Sequence, residues 1–318
     1  MKVSVAMCTY DGARYLQEQL DSLASQTHLP FELIVCDDRS TDKTMEIVSR
    51  FSETAPFPVH LTQNRENLGS TQNFSRAIIS CSGDLIALCD QDDVWNPDKI
   101  KKQVQVFEQD LTVEGVFCDG ELIDSDSRPL NESLWDSVTF SSSMRKQVRA
   151  GNAVSAMLRQ SFVTGATLMF KSGLRPSFLP IPGDWVHDAW IAWMIALHSK
   201  LYLLSDRLIN YRIHADQQIG ADLQTLQDRL ARDRKRVINQ HVIDLKRLNS
   251  LELRMTEDAP ENGAAYLKLV RNKKDFLEVR IALLQMSRLL RAVRLTTKIA
   301  GYMRFAKGVR SIIGDLFL

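Results

Sequence analysis

Five short apolar runs, at residues 3–7, 31–36, 59–62, 85–89 and 115–118, divide the first 120 residues, and the stretches between them repeat apolar side chains at helical spacing. No other feature restricts the fold so sharply. Runs of this length suit strands covered on both faces, and strands that alternate with amphipathic helices assemble as a parallel sheet with helices on its two sides. Tyr15, Leu16, Gln19, Leu20 and Leu23 predict a helix over residues 13–24. Ser40-Thr41-Asp42 predicts a capped helix over 43–51, Asn67-Leu68-Gly69-Ser70 opens one through 79, and Pro97 stands near the start of one through 107.

Residues 124–160 are polar and Ser-rich, which predicts loops and short helices. Strand character returns at 166–170, a helix is expected over 185–198, and short strands at 201–204 and 208–212. From residue 222 the pattern is helical to the end, broken at 257–263. The expected organisation is an α/β domain over residues 1–220 followed by a helical extension over 221–318.

Charge follows the same division. The 318 residues carry a net +1, but residues 221–318 hold 20 Lys+Arg against 11 Asp+Glu, a net of +9, which leaves −8 for residues 1–220. An acidic body argues against a protein that grips nucleic acid by broad electrostatics. The five cysteines are scattered and never form a Cys-x-x-Cys pair, so they read as reduced core residues. The N-terminus turns polar too soon for a secretory signal, and no window of about 18 uninterrupted apolar residues occurs. A cytoplasmic protein is expected, with a peripheral place on the inner face of the cytoplasmic membrane open to its basic tail.

Ligands of open α/β sheets bind outside the carboxyl ends of the strands. The polar clusters fall there: Cys8-Thr9-Tyr10-Asp11-Gly12 after the first run, Asp37-Asp38-Arg39-Ser40 after the second, and Asp90-Gln91-Asp92-Asp93 after the fourth. Three carboxylates in four residues repel one another and suit a bound cation. Oxygen ligands favour Mg2+ or Mn2+, which take one or two protein carboxylates together with substrate phosphates. The competing reading makes the cluster an acidic loop ahead of the Pro97 helix, Asp38 a turn and N-cap residue, and Tyr10 an aromatic at the core's edge. Neither a GxxxxGK[ST] loop, nor GxGxxG after the first strand, nor Gly-x-Ser-x-Gly is present, which argues against P-loop, dinucleotide and nucleophile-elbow enzymes.

In this order and spacing, residues 3–12, Gln26-Thr27, residues 32–42, Asn67-Leu68-Gly69 and Asp90-Gln91-Asp92-Asp93 resemble the nucleotide-sugar half of the inverting glycosyltransferase family two. Thr164-Gly165, His187-Asp188-Ala189-Trp190 and Tyr211-Arg212-Ile213-His214 continue the resemblance to about residue 220. The combination is similar to bacterial rhamnosyltransferase-like members that build surface polysaccharide such as O-antigen or capsule. The resemblance implies a GT-A fold, a Rossmann-like and mostly parallel sheet flanked by helices, here with a C-terminal helical extension. It implies a metal-dependent enzyme that uses a dTDP- or UDP-sugar and a glycan or polyprenyl-linked acceptor. The alternative is a nucleotide-sugar-binding scaffold on the same frame, without turnover.

Position by position, the resemblance implies that Thr9, Tyr10, Asp11 and Asp38 hold the nucleotide, with the Tyr10 ring on the base and the Asp38 carboxylate accepting from its ring N–H. Asp90 and Gln91 join the donor site, Asp92 or Asp93 ligates the metal, and His214 assists from the far side. Asn73 and Arg76, on the helix after Asn67, are candidates for the diphosphate. Asp188 matches the catalytic carboxylate, although His187 stands where the family more often has an acid. Gly165, His187 and Trp190 are candidates for the acceptor side; Trp185 and Trp193 are rings that fit either an acceptor wall or the core.

The tail carries its own signal. Arg288, Arg291, Arg294 and Lys298 fall within a third of a helix's circumference, while Leu284, Leu289, Leu290, Val293 and Ile299 supply apolar area elsewhere. That pattern fits an interfacial helix on an anionic membrane, or equally a helix packed on the body with its cations in water.

Overall fold

The apolar runs become the buried strands of one sheet. The computed structural model describes residues 1–215, 217, 233–258 and 263–318. Strands β1 (Val3–Thr9), β2 (Glu32–Asp37), β3 (Val59–Gln63) and β4 (Leu85–Cys89) pair in parallel in the order β3-β2-β1-β4. Every residue of β2 and β4 is buried, because helices α1 (Leu16–Ala24), α2 (Thr44–Ser52) and α3 (Ser70–Ser80) make the crossovers and cover the faces. Leu16, Leu20 and Leu23 of α1 lie fully in the core, each stabilising the fold by roughly 1.5–3 kcal/mol.

Local chemistry moves two helix starts. The Gly12 carbonyl accepts from the amides of both Tyr15 and Leu16, so residues 13–15 form a turn and α1 begins at Leu16. Of Ser40, Thr41 and Asp42, only Asp42 tops α2, accepting the Thr44 amide at 2.9 Å. Ser40 instead turns its hydroxyl to Asp37.

Beyond β4 the sheet is mixed. It continues through β5 (Val94–Trp95), α4 (Lys99–Gln109), β6 (Val113–Ile123), β7 (Pro129–Ser133), α5 (Leu134–Ser137), α6 (Ser142–Arg149), α7 (Ala153–Met157), β8 (Leu168–Lys171), α8 (Arg175–Phe178), α9 (His187–His198) and β9 (Lys200–Arg212). The full order is β3-β2-β1-β4-β8-β6-β9-β5, with β7 on β6. Strand β8 runs antiparallel to both β4 and β6, whereas β6 and β9 are parallel. That reversal has a functional effect: the chain just before β8 lies at the carboxyl end of β4, where β9 also ends. Strand β9 replaces the two short strands expected. Its polar middle, Ser205-Asp206-Arg207, is accommodated by register shifts against β6 around Asp119 and by ion pairs of Asp206 with Lys102 and Arg207 with Glu121.

The chain divides into two compact units, Met1–Gly151 with Phe162–Asp222, and Asn152–Ser161 with Leu223–Leu318. The second is helical: α7 together with α10 (Arg234–Asp258), α11 (Gly263–Gln285), α12 (Arg288–Leu295), α13 (Ile299–Phe305) and α14 (Val309–Phe317). Most of the break expected at 257–263 lies outside the described residues. Helices α10 and α11 pack together and are tied by Glu252, which takes Arg271 at 2.6 Å and Lys274 at 2.7 Å. Among the described residues no helix is long and apolar enough to cross a membrane.

Candidate active site

The strand ends of the first unit surround a cavity of about 440 Å³, within the range of small-ligand sites. Tyr10 lines it from β1, Asp38 from β2, Asp90, Gln91 and Asp92 from β4, Gly165 from the approach to β8, and His187 and Asp188 from α9. His214 closes it from beyond β9. Residues far apart in the chain therefore meet because the ends of β1, β2, β4 and β9 and the starts of β8 and α9 share one rim.

Asp188 occupies the first turn of α9, where exposed backbone amides and the helix dipole favour a carboxylate. Its Oδ2 accepts the Gly165 amide at 2.9 Å and its Oδ1 the Ala189 amide at 2.6 Å. Glycine suits this approach at position 165, since a Cβ there would lie 3.1 Å from His187 Nε2 and 3.3 Å from Asp188 Cβ and would push these neighbours back by a few tenths of an ångström. Across the cavity, burial together with the charges of Asp92 and Asp188 pushes the Asp90 carboxyl up to about 8. Asp188 is thus electrostatically in touch with the acids of β4.

The two neighbours at the end of the acidic cluster have opposite surroundings. Asp92 faces the cavity and meets His214, Oδ2 to Nε2, at 2.9 Å. Asp93 is fully buried, accepts the Arg212 amide at 3.0 Å, and burial with the charges of Asp92 and Asp90 drives its carboxyl well above the usual range. Asp93 is therefore a structural acid facing away from the cavity. Among the described residues no three or more His, Cys, Asp or Glu side chains converge as a ready metal cage. Asp92 and His214 nonetheless offer an oxygen and an imidazole donor, and the buried Nδ1 of His214 has no hydrogen-bond partner among the described residues. This set fits Mg2+ or Mn2+ with its remaining positions given to substrate phosphate and water.

Of the expected contact residues, Thr9, Asp11, Asn73 and Gln91 line the cavity and also brace its walls. Thr9 is buried and gives its hydroxyl to Asp37 at 2.8 Å. Asp11, at a φ of 45° that Asp tolerates, spends Oδ1 on the Thr41 amide at 2.7 Å, lacing the β1 end to the β2 end. Asn73, which lines the cavity, donates to the Cys36 carbonyl at 2.7 Å and accepts from Asn64 at 2.8 Å, and Arg76 turns to Asn64 at 2.6 Å, so these two also hold α3 to the sheet. Gln91 clamps the Tyr10 backbone. Trp190 is fully buried with its indole N–H on the Phe178 carbonyl at 2.8 Å; it belongs to the core, as do Trp185 and Trp193. His187 lines the cavity but is mostly buried, stacked on Phe74 at 3.9 Å between ring centroids, with burial depressing its pKa. Asp38 lines the cavity while its carboxylate takes the Leu68 and Gly69 amides, each at 2.8 Å, and the Asn64 side chain at 2.7 Å.

Sequence reasoning missed Arg212 as a brace. Its fully buried guanidinium donates to the Asp92 carbonyl at 2.7 Å, to Ser127 at 2.8 Å and to Glu18 at 2.5 Å, and lies over the Tyr15 ring. The signal was an arginine directly after Leu208, Ile209 and Tyr211, which has to find several acceptors once buried with them. Gly12 was missed too: a Cβ there would fall 2.1 Å from Gln91 Oε1.

Comparison with known proteins agrees with this geometry. Residues 4–163 match the model of glycosyl transferase family 2. An uncharacterized glycosyltransferase of Nostoc sp. is 29% identical over 218 residues, 67% of this chain and 65% of that protein. TuaG of Bacillus subtilis, named for teichuronic acid biosynthesis, is 28% identical over 148 residues, 46% of this chain and 58% of that protein. The chain thus spans less than two thirds of the length of these curated relatives. Among solved structures, Staphylococcus aureus TarS 1–349 in complex with UDP superposes with a TM-score of 0.55 at 16% identity, covering 86% of this chain and 90% of that one. Mannosyltransferase PcManGT of Pyrobaculum calidifontis, in complex with GDP-Man and Mn2+, gives 0.53 at 20% identity, covering 99% and 86%. The architecture is that of the GT-A fold. With the family model spanning half of the sequence and the acids delivered to one rim from β2, β4 and α9, the chain belongs to glycosyl transferase family 2.

Proposed function

We propose that this chain is a metal-dependent inverting glycosyltransferase that moves a sugar from a nucleoside diphosphate to a glycan or polyprenyl-linked acceptor in bacterial surface polysaccharide assembly. The observation that carries the reading is Asp188, oriented by two backbone amides and facing Asp90 and Asp92 across one cavity. Inversion is a single displacement at the anomeric carbon: the acceptor oxygen loses a proton as it forms the new bond, and the nucleoside diphosphate leaves with the electrons of the old one. Asp188 takes that proton, a contribution of about 10²–10⁴-fold for a well-placed base. Its tether to Gly165 keeps the carboxylate from rotating away. Tyr10, half out of the protein wall, offers a ring for the base, and Asp38 offers the acceptor for a base N–H. When bound at Asp92 and His214, Mg2+ or Mn2+ would act as a Lewis acid on the departing diphosphate.

The donor class draws support from TarS in complex with UDP and PcManGT in complex with GDP-Man and Mn2+; the polysaccharide context draws support from TuaG's name. The donors to test are UDP-, dTDP- and GDP-sugars, dTDP-rhamnose among them. Thermal-shift measurements with each, with and without Mn2+, test the reading, because a ligand that binds only the folded state adds about 2.7 kcal/mol at a hundred times its Kd. Stabilisation by a metal-plus-donor pair, followed by transfer, is expected. Absence of any stabilisation with metal present would overturn it, and binding without turnover on any acceptor would favour the scaffold reading.

A further inference from the structure

Helix α12 is built inside out. Its buried residues are Arg291 and Leu295, whereas Leu289, Leu290 and Val293 are 83%, 61% and 71% exposed. The cation stripe read from the sequence is therefore broken at its centre, with Arg291 turned inward to the Asp315 carbonyl at 2.5 Å and the Met286 carbonyl at 3.2 Å. The pattern continues along the next two helices. Met303 of α13 and Ile313 and Phe317 of α14 are 49%, 52% and 70% exposed. Three successive short helices turn apolar side chains outward, which a water-facing surface does not reward.

The charge around this apolar surface has one sign. Residues 279–318 contain a single acid, Asp315, and it is 2% exposed, taken by Arg280 at 2.6 and 2.7 Å and by the Tyr302 hydroxyl at 2.5 Å. Arg288, Arg294, Lys298, Arg304, Lys307 and Arg310 are exposed. The outward charge of the segment is thus wholly positive. A second copy laid on this face would oppose like charges, whereas an anionic bilayer answers both features, since its headgroups pair with the cations and its acyl boundary receives the leucines.

We propose that the outer face of α12–α14 seats the protein on an anionic lipid surface. The inference stands apart from the glycosyl-transfer reading, because it uses none of the cavity residues. Flotation of the full chain with vesicles of equal parts phosphatidylglycerol and phosphatidylethanolamine, against vesicles of phosphatidylcholine, tests it directly. The chain floats with the anionic vesicles and not with the neutral ones. A variant carrying Leu289→Ser, Leu290→Ser and Val293→Ser changes only exposed positions, keeps the wild-type melting curve, and loses flotation by about tenfold or more. Arg294→Glu with Lys298→Glu does the same, at about fivefold per cation removed from the surface.

Three results would overturn the proposal: a wild-type chain that stays with neither vesicle or binds both alike, a serine variant that floats as the wild type does, or light scattering that finds a dimer which the serine substitutions dissolve. The last would make this face a contact between copies.

Discussion

The side-chain amide of Gln91 pairs with the peptide of Tyr10 on both edges, accepting from its N–H at 2.9 Å and donating to its carbonyl at 3.0 Å. The end of β4 thereby holds the exposed Tyr10 ring at the cavity from behind. The pairing needs the bare α-carbon of Gly12, which lies where a side chain would collide with the glutamine.

Gly12→Ala is therefore expected to displace Gln91 and loosen Tyr10 while leaving Asp188 in place. The donor KM should rise about tenfold, the worth of one well-placed hydrogen bond lost, with kcat changed far less. Steady-state kinetics over donor concentration check this. A fall in kcat with KM unchanged would contradict it.

Asp188→Asn removes the proposed base but keeps the shape. Transfer should drop by about 10²–10⁴-fold while donor affinity, read by calorimetry, stays within about twofold. The amide nitrogen of the substituted side chain will face either the Gly165 or the Ala189 N–H, so a small loss in melting temperature accompanies the change. Intact transfer would remove Asp188 from the chemistry.

Asp92→Asn and Asp93→Asn should separate cleanly. The first, like His214→Ala, takes a donor from the metal pair and should raise the Mn2+ concentration required for donor-induced stabilisation by about 10–100-fold. The second keeps an acceptor for the Arg212 amide and replaces an acid whose charged form is disfavoured by burial and by the charges of Asp92 and Asp90, so stability should hold or rise and metal response should persist. A metal defect in Asp93→Asn would reverse the assignment.

Lys99 makes stability depend on alkaline pH. Its ammonium is fully buried over the Trp95 ring, and burial lowers its pKa from 10.5 to about 8. Between those values the unfolded chain holds a proton that the folded chain has released, so this site contributes stability that grows as pH rises through that window. Below it the full cost of a buried charge is present. Lys99→Met should then stabilise the protein at neutral pH, by at most about 3 kcal/mol, with the gain shrinking toward pH 10. Melting curves of both proteins across that range decide it.

The half of the fold that obeys one local rule was readable from sequence. Continuous apolar runs at β1, β2 and β4 could only be buried strands, and their carboxyl ends had to share a rim. What escaped were features set by partners distant in sequence. The reversal of β8 depends on where a polar excursion of some forty residues returns, which no local pattern encodes. Asp92 and Asp93 are chemically identical neighbours in the bend between β4 and β5, separated only by the local turn of the chain and by Arg212 arriving from more than a hundred residues away. Trp190 was placed on the acceptor side because an aromatic ring near a site looks alike whether it faces the site or braces it, whereas Thr9 and Asn73 line the cavity and brace its walls at once. Arg291 inverted the tail's pattern because the carbonyls that hold it belong to a different helix and to the turn before its own.

The grip of Asp38 on the loop at residues 64–69 bears on turnover. A base that claims this carboxylate competes with the Leu68 and Gly69 amides already there, so capture of the donor trades one hydrogen bond for another and yields little net affinity. The same loop can take its bonds back once the sugar has gone. On the proposed function, the resting arrangement of the protein would then favour release of the spent nucleotide.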